Sequence, residues 1–242
     1  MVFRQCSVGG KVYKGDESDD EIKKGEDDAA TELGPPVTER TKENPSMESS
    51  SSATSSPLNT PKISPHHVFS DSALQADLLS GADPNHARSL NGFFATLALC
   101  HTVLASQDPD TGVITYKAQS PDESALVQAA ADAGFIFRGR EREIMRLQTP
   151  FSDHLEEYEL LNLLDFTSAR KRMSVIVKKL EKDDSRIFLL CKGADNVIFE
   201  RLKPGQGSDE LKTKTGDDLD FFASEGELVV LSCFTLLIDF NG

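Results

Sequence analysis

The sequence predicts an α+β domain, a mainly antiparallel β-sheet flanked by helices, interrupted by a long disordered insertion. Three observations carry this. Strand-like runs at 157–166, 173–180 and 186–194 follow one another through short polar loops, which favours antiparallel neighbours over βαβ alternation. Two helical stretches, 89–103 and 121–133, precede them. Between these and the first residues lies an acidic, Ser/Pro-rich stretch unlike the rest of the chain.

In chain order, 1–13 ("MVFRQCSVGGKVY") reads as strand, Gly-Gly turn, strand. Residues 14–84 read as the insertion. Eight acids face two lysines between Asp16 and Asp28, and Ser, Thr and Pro dominate 45–65. Such a segment buries too little apolar surface to offset the entropy of ordering its backbone. Ser56, Thr60 and Ser64 precede prolines and suit proline-directed phosphorylation. Residues 85–226 form the globular part. The stretch 89–103 is apolar around most of a helix, as a buried helix requires. In "AQSPDESALVQAAADAGF", Ser120 is placed to cap, Pro121 fits the first helical position, Glu123 completes a capping box and Gly134 ends the helix. "EKDDS" (181–185) predicts a hairpin turn, and 194–202 has helical spacing. Residues 227–242 read as an atypical apolar tail.

Composition narrows the function. A formal net charge of −14 argues against a general nucleic-acid binder, which needs a basic footprint. Cys6, Cys100, Cys191 and Cys233 are scattered without a CxxC pair, which points to reduced thiols rather than disulfides or zinc, and no histidine pattern suggests a metal site. No signal peptide is evident, and the longest apolar run, 228–238, has 11 residues, too few for a membrane helix. A soluble chain is expected. "GGKV" (9–12) is not a phosphate-binding loop, and "PGQGSDE" (204–210) lacks a third glycine.

Two basic features remain. In "DFTSARKRMSV" (165–175), Phe166 stands at a strand end beside Arg170, Lys171 and Arg172. A ring beside cations can stack a base and meet its phosphates. A core Phe followed by a solvated basic turn fits the same spacing. In "LLCKGAD" (189–195), Lys192 leaves an apolar strand next to Gly193 and suits an anionic ligand. A lysine pointing to water fits as well.

Together, "QSPDESALVQAA", "DFTSARKRMSV" and "LLCKGADNVIFERL" resemble the nucleotide-binding domain of P-type ATPases. "SPDE" and "TSARKRMSV" look like the phospholipid-translocating branch, the flippases, as do 93–103 and 1–13. The resemblance covers roughly 1–13 and 85–226. It implies that Phe166 stacks on adenine, Lys192 lies at the base of the pocket, Glu123 helps hold the nucleotide, and Lys171 reaches towards the phosphates with Ser168 nearby. ATP would arrive with Mg²⁺, held by the nucleotide rather than by this chain, and no residue here would be catalytic. In the full-length family ATP hydrolysis drives phospholipid across a membrane, with this domain on the cytoplasmic side and an accessory membrane subunit as partner. The family's phosphorylated "DKTGT" precedes the segment resembling 1–13. Its "EGLRTL" arginine has no counterpart here, where Glu227 follows Gly226. The expectation is a flippase fragment that binds ATP weakly without turnover. The competing reading is a non-catalytic interaction protein that uses the acidic Ser/Pro-rich tract.

Overall fold

Gly9 and Gly10 take φ values of 59° and 78° and turn strand β1 (Gln5–Val8) back onto β2 (Lys11–Lys14), as the Gly-Gly dipeptide predicts. The structure, a computed structural model, describes residues 1–15, 69–80, 83–182, 185–202, 208–227 and 229–238, with backbone alone at 208, 231 and 233–238. Most of the stretch read as an insertion, with Ser56, Thr60 and Ser64, lies outside the described residues. Its last part forms helix α1 (Ser72–Ser80), which buries Leu74 and Leu78. Asp71 fixes the helix start, one carboxylate oxygen accepting from the Leu74 N–H at 2.8 Å and the other from the Lys14 N–H at 2.9 Å.

Helix α2 spans Pro84–Leu99 rather than 89–103. Asp83 moves its start forward, since its carboxylate accepts from the Asn85 and His86 N–H groups with Pro84 at the first helical position. Leu90, Phe94 and Leu97 recur on one face and are buried. Helix α3 (Pro121–Asp132) ends as predicted. Gly134 has φ 93°, its N–H donates to the Ala131 carbonyl, and the Phe135 N–H donates to Ala130, a Schellman closure.

Around these helices lie a small hairpin, β3 (Leu104–Gln107) with β4 (Ile114–Lys117), and a six-stranded antiparallel sheet. The sheet runs β5 (Ile136–Glu141), β6 (Ile144–Gln148), β7 (Glu156–Leu164), β8 (Arg172–Lys179), β9 (Ile187–Gly193) and β10 (Leu231–Ile238), each paired with the one before it. Helices α4 (Asp195–Phe199) and α5 (Ser208–Ser224) connect β9 to β10. The architecture is the predicted α+β arrangement. The run read as an apolar tail supplies edge strand β10. Sequence patterning did not mark β3 to β6, which are short, with β5 and β6 also broken by Gly139 and arginines.

Register sets the faces. Met173, Val175 and Val177 alternate on β8 and are buried, and Val175 and Met173 stand opposite Leu190 and Lys192 on β9. Directly opposed residues point to the same face. That face packs on α2, because the buried Cys100 just past the helix places its thiol 3.8 Å from the carbonyls of both Met173 and Leu190.

Candidate functional site

Lys192 sits on the helix-bearing face of the sheet, and its neighbours there set its surroundings. It is 6% exposed, buried instead of pointing to water. A buried ammonium is costly unless it is paired. Its partner is Glu123, whose Oε1 lies 3.4 Å from Nζ. Nζ has no hydrogen-bond partner among the described residues. Across the β9–β10 ladder Ser232 stands opposite Lys192, and its Oγ is likewise buried and without a partner among the described residues.

Glu123 reaches Lys192 because α3 starts with an unused cap. Ser120 occupies the cap position, but its side chain makes no capping hydrogen bond, so the expected capping box is absent. The Glu123 carboxylate turns instead to the segment that follows α2, where Oε2 accepts from the Thr102 hydroxyl at 2.6 Å and from its N–H at 3.4 Å. Burial opposes ionisation of Glu123. The Thr102 hydroxyl bond, the Lys192 charge and the Thr102 N–H outweigh it and hold the carboxyl below its ordinary range.

The preceding residue, His101, is buried and neutral. The Val103 N–H donates to Nδ1 at 3.0 Å, so Nδ1 must accept and the proton resides on Nε2, which donates to the Ala98 carbonyl at 2.8 Å. Its ring meets Phe137 edge to face at 4.6 Å. Burial first, then the Lys192 charge, lower its pKa to about 4. Burial also pushes the Cys100 thiol up to about 12, so it stays protonated. Lys192 is therefore the cation of this cluster, with two neutral groups and one carboxylate beside it.

The loop between β7 and β8 closes the other side. Phe166 is 60% exposed and is not a core residue. Ser168 and Lys171 are exposed on the same loop. The Lys171 N–H donates to the Thr167 carbonyl at 2.7 Å, and the Arg170 guanidinium donates to the Asp165 carbonyl at 3.0 Å. The Lys171 carbonyl accepts from the Ala194 N–H at 3.0 Å, which ties the loop to the turn just after Lys192. Gly193 makes that approach possible, because a Cβ there would lie 2.5 Å from both the Lys171 carbonyl oxygen and the Arg172 Cβ. Register places the loop beside the lysine: Leu164 pairs with Ser174, whose neighbour Met173 pairs with Lys192.

The structure thus gathers Glu123 and Lys192 into direct contact and hangs Phe166, Ser168 and Lys171 from a loop bonded to the next turn. Thr102, His101 and Ser232 belong to the same cluster and were missed by sequence reasoning. The adjacent "CHT" following a buried helix was the available signal for the first two. A buried cationic donor on one strand and an exposed aromatic ring on the loop bonded to its next turn suit a ligand that combines a flat heteroaromatic ring bearing acceptors with anionic groups met by the basic loop.

Comparisons with known proteins identify the family. A family model described as "P-type ATPase, cytoplasmic domain N" matches residues 89–233, more than half of the chain. The chain is 45% identical over 159 residues to "Phospholipid-transporting ATPase dnf2" of Schizosaccharomyces pombe, covering 66% of this chain and 11% of that protein. It is 35% identical over 234 residues to "Phospholipid-transporting ATPase IC" of Xenopus tropicalis, covering 97% of this chain and 15% of that protein. With human "Probable phospholipid-transporting ATPase IM" it shares 37% identity over 226 residues, 93% of this chain and 16% of that protein. It therefore spans well under a fifth of the length of these relatives. The cluster around Lys192 and the Phe166 loop both lie inside the matched residues, and the chain belongs to the P-type ATPases, in the region of their cytoplasmic domain N.

Proposed function

We propose that this chain binds ATP, and that within a complete flippase it supplies ATP to a phosphorylation cycle that moves phospholipid across a membrane. The observation that carries the binding is Lys192, a buried ammonium ion-paired to Glu123 and lacking a hydrogen-bond acceptor among the described residues, on the strand whose following turn, at Ala194, is bonded to the loop that bears the exposed Phe166. Adenine stacked on Phe166 would offer a ring nitrogen to Lys192, and such stacking is worth about 1–3 kcal/mol. Lys171 and Ser168, on the same loop, would meet the phosphates. Glu123 would act chiefly by holding the ammonium in place, since both of its oxygens are already engaged.

Mg²⁺ would travel with the triphosphate. Among the described residues, no group of three His, Cys, Asp or Glu side chains is gathered to hold a metal ion. The phospholipid substrate is what the names of the relatives state of those proteins, and this chain would share it as part of such a transporter. An accessory membrane subunit would join the complete protein. Among the described residues no helix is long and apolar enough to cross a membrane.

Calorimetric or NMR titration of the chain with ATP tests the binding. A dissociation constant near the millimolar range, about −4 kcal/mol, is expected. Phe166→Ala and Lys192→Met should each weaken it several-fold while leaving thermal unfolding cooperative. Equal responses from all three proteins would refute this site.

A further inference from the structure

We infer that Thr102 is a positioning residue of the site: its hydroxyl fixes the Glu123 carboxylate, and through it the Lys192 ammonium, without touching the ligand. This rests on the nucleotide reading above and goes beyond it, because the proposed contacts do not include the segment after α2.

The geometry has three parts. Thr102 donates twice to a single carboxylate oxygen, Glu123 Oε2, from its hydroxyl at 2.6 Å and its backbone at 3.4 Å. That leaves Oε1 turned to Lys192 at 3.4 Å. A carboxylate clamped at one oxygen has lost its rotational freedom, so the position of the other oxygen is decided by Thr102. The clamp is itself anchored on both sides. Cys100 places its thiol against the Met173 and Leu190 carbonyls, and His101 ties Ala98 to Val103 through a buried ring with both nitrogens satisfied. Thr102 thus rides on a rigid turn between a buried helix and the sheet.

The charged and titratable groups facing Glu123 agree with a positioning role. Lys192 comes from β9, and the neutral His101 and Cys100 come from the turn after α2. Asp122 adjoins it on α3, and the Arg140 charge on β5 acts on His101. None of these fixes which carboxylate oxygen faces the lysine. Only the two Thr102 donors do.

The test compares Thr102→Val, which keeps the shape and removes the hydroxyl, with Thr102→Ser, which keeps the hydroxyl. Carbon-13 NMR of the Glu123 carboxyl without nucleotide reads the bond directly. In Thr102→Val its titration midpoint should rise by about one pH unit, since a donor to the charged form is lost. In Thr102→Ser it should stay at the wild-type value. ATP affinity at pH 7 should fall about three- to tenfold in Thr102→Val and stay within about twofold of wild type in Thr102→Ser. An unchanged Glu123 midpoint in Thr102→Val overturns the inference. So does a shifted midpoint with unchanged ATP affinity, which would leave the bond merely structural. A wild-type chain that does not respond to ATP, yet shows the midpoint shift on substitution, overturns the nucleotide reading and the positioning role with it. The hydrogen bond alone would then stand.

Discussion

Lys171 holds a left-handed backbone at φ 51°, a region that costs a residue with a Cβ roughly 1–2 kcal/mol. Its N–H and carbonyl are both used, to Thr167 and Ala194, so the loop enforces the conformation. Strain at the residue whose side chain is proposed to meet phosphate makes a separable prediction. Lys171→Gly should unfold at the same or slightly higher denaturant concentration, a gain of up to about 1 kcal/mol after the flexibility of glycine is counted. Lys171→Ala should match the wild type in stability. Both should lose the same ATP affinity. Unequal losses would trace the effect to the backbone instead of the charge. At Gly193 the reverse holds, because Gly193→Ala drives a methyl into the Lys171 carbonyl. It should destabilise by about 2–4 kcal/mol in chemical denaturation. Glycine at 193 suggested a close backbone approach from the sequence alone, but neither the positive φ of Lys171 nor the identity of the approaching carbonyl can be read from residue types.

The short segment joining α2 to β3 shows what an element contributes that its residues alone do not. Periodicity ran the helix on to 103, whereas it stops at Leu99, where the Cys100 thiol, His101 Nδ1 and the Thr102 hydroxyl each find partners outside it. This turn makes stability depend on pH. His101 is neutral in the folded protein down to about pH 4, whereas in the unfolded chain it takes up a proton near pH 6.5. Between those values the unfolded state binds more protons, so stability is complete above pH 6.5 and falls as pH drops towards 4, at most by about 1.4 kcal/mol per pH unit. Urea midpoints measured from pH 7.5 to 4.5 should decline along that slope, and His101→Gln should flatten it. A slope unchanged by the substitution would mean that carboxylates govern the decline. Helix α3 carries a similar lesson. Its C-terminal closure at Gly134 followed from sequence because it depends on local backbone bonds. At its start Ser120 makes no capping bond, and the Glu123 carboxylate is held by Thr102, 21 residues earlier, instead of turning back to the cap.

For the molecule as a whole, the described residues on either side of 16–68 meet. A Cβ on Gly15 would lie 3.4 Å from the Phe69 ring, and the Lys14 N–H donates to Asp71. Replacing 16–68 by a short Gly-Ser linker should therefore leave the fold and ATP binding intact. It should stabilise the chain by about 2 kcal/mol through the shorter closed loop, readable as a higher thermal midpoint. Lost ATP binding in the linked chain would show that the tract takes part in the site. The sequence by itself determined the α+β class, the Gly-Gly hairpin, the central strands, the Gly134 helix end and the family, because alternation, turn chemistry and ordered motifs act over a few residues. Tertiary structure alone decided that Lys192 is buried and Phe166 exposed, that Glu123 serves Thr102 and Lys192 instead of its own helix, and that β10 completes the sheet beside the lysine. Those outcomes depend on strand register and on which face receives α2, and such pairings join residues too distant in the chain for local pattern to specify.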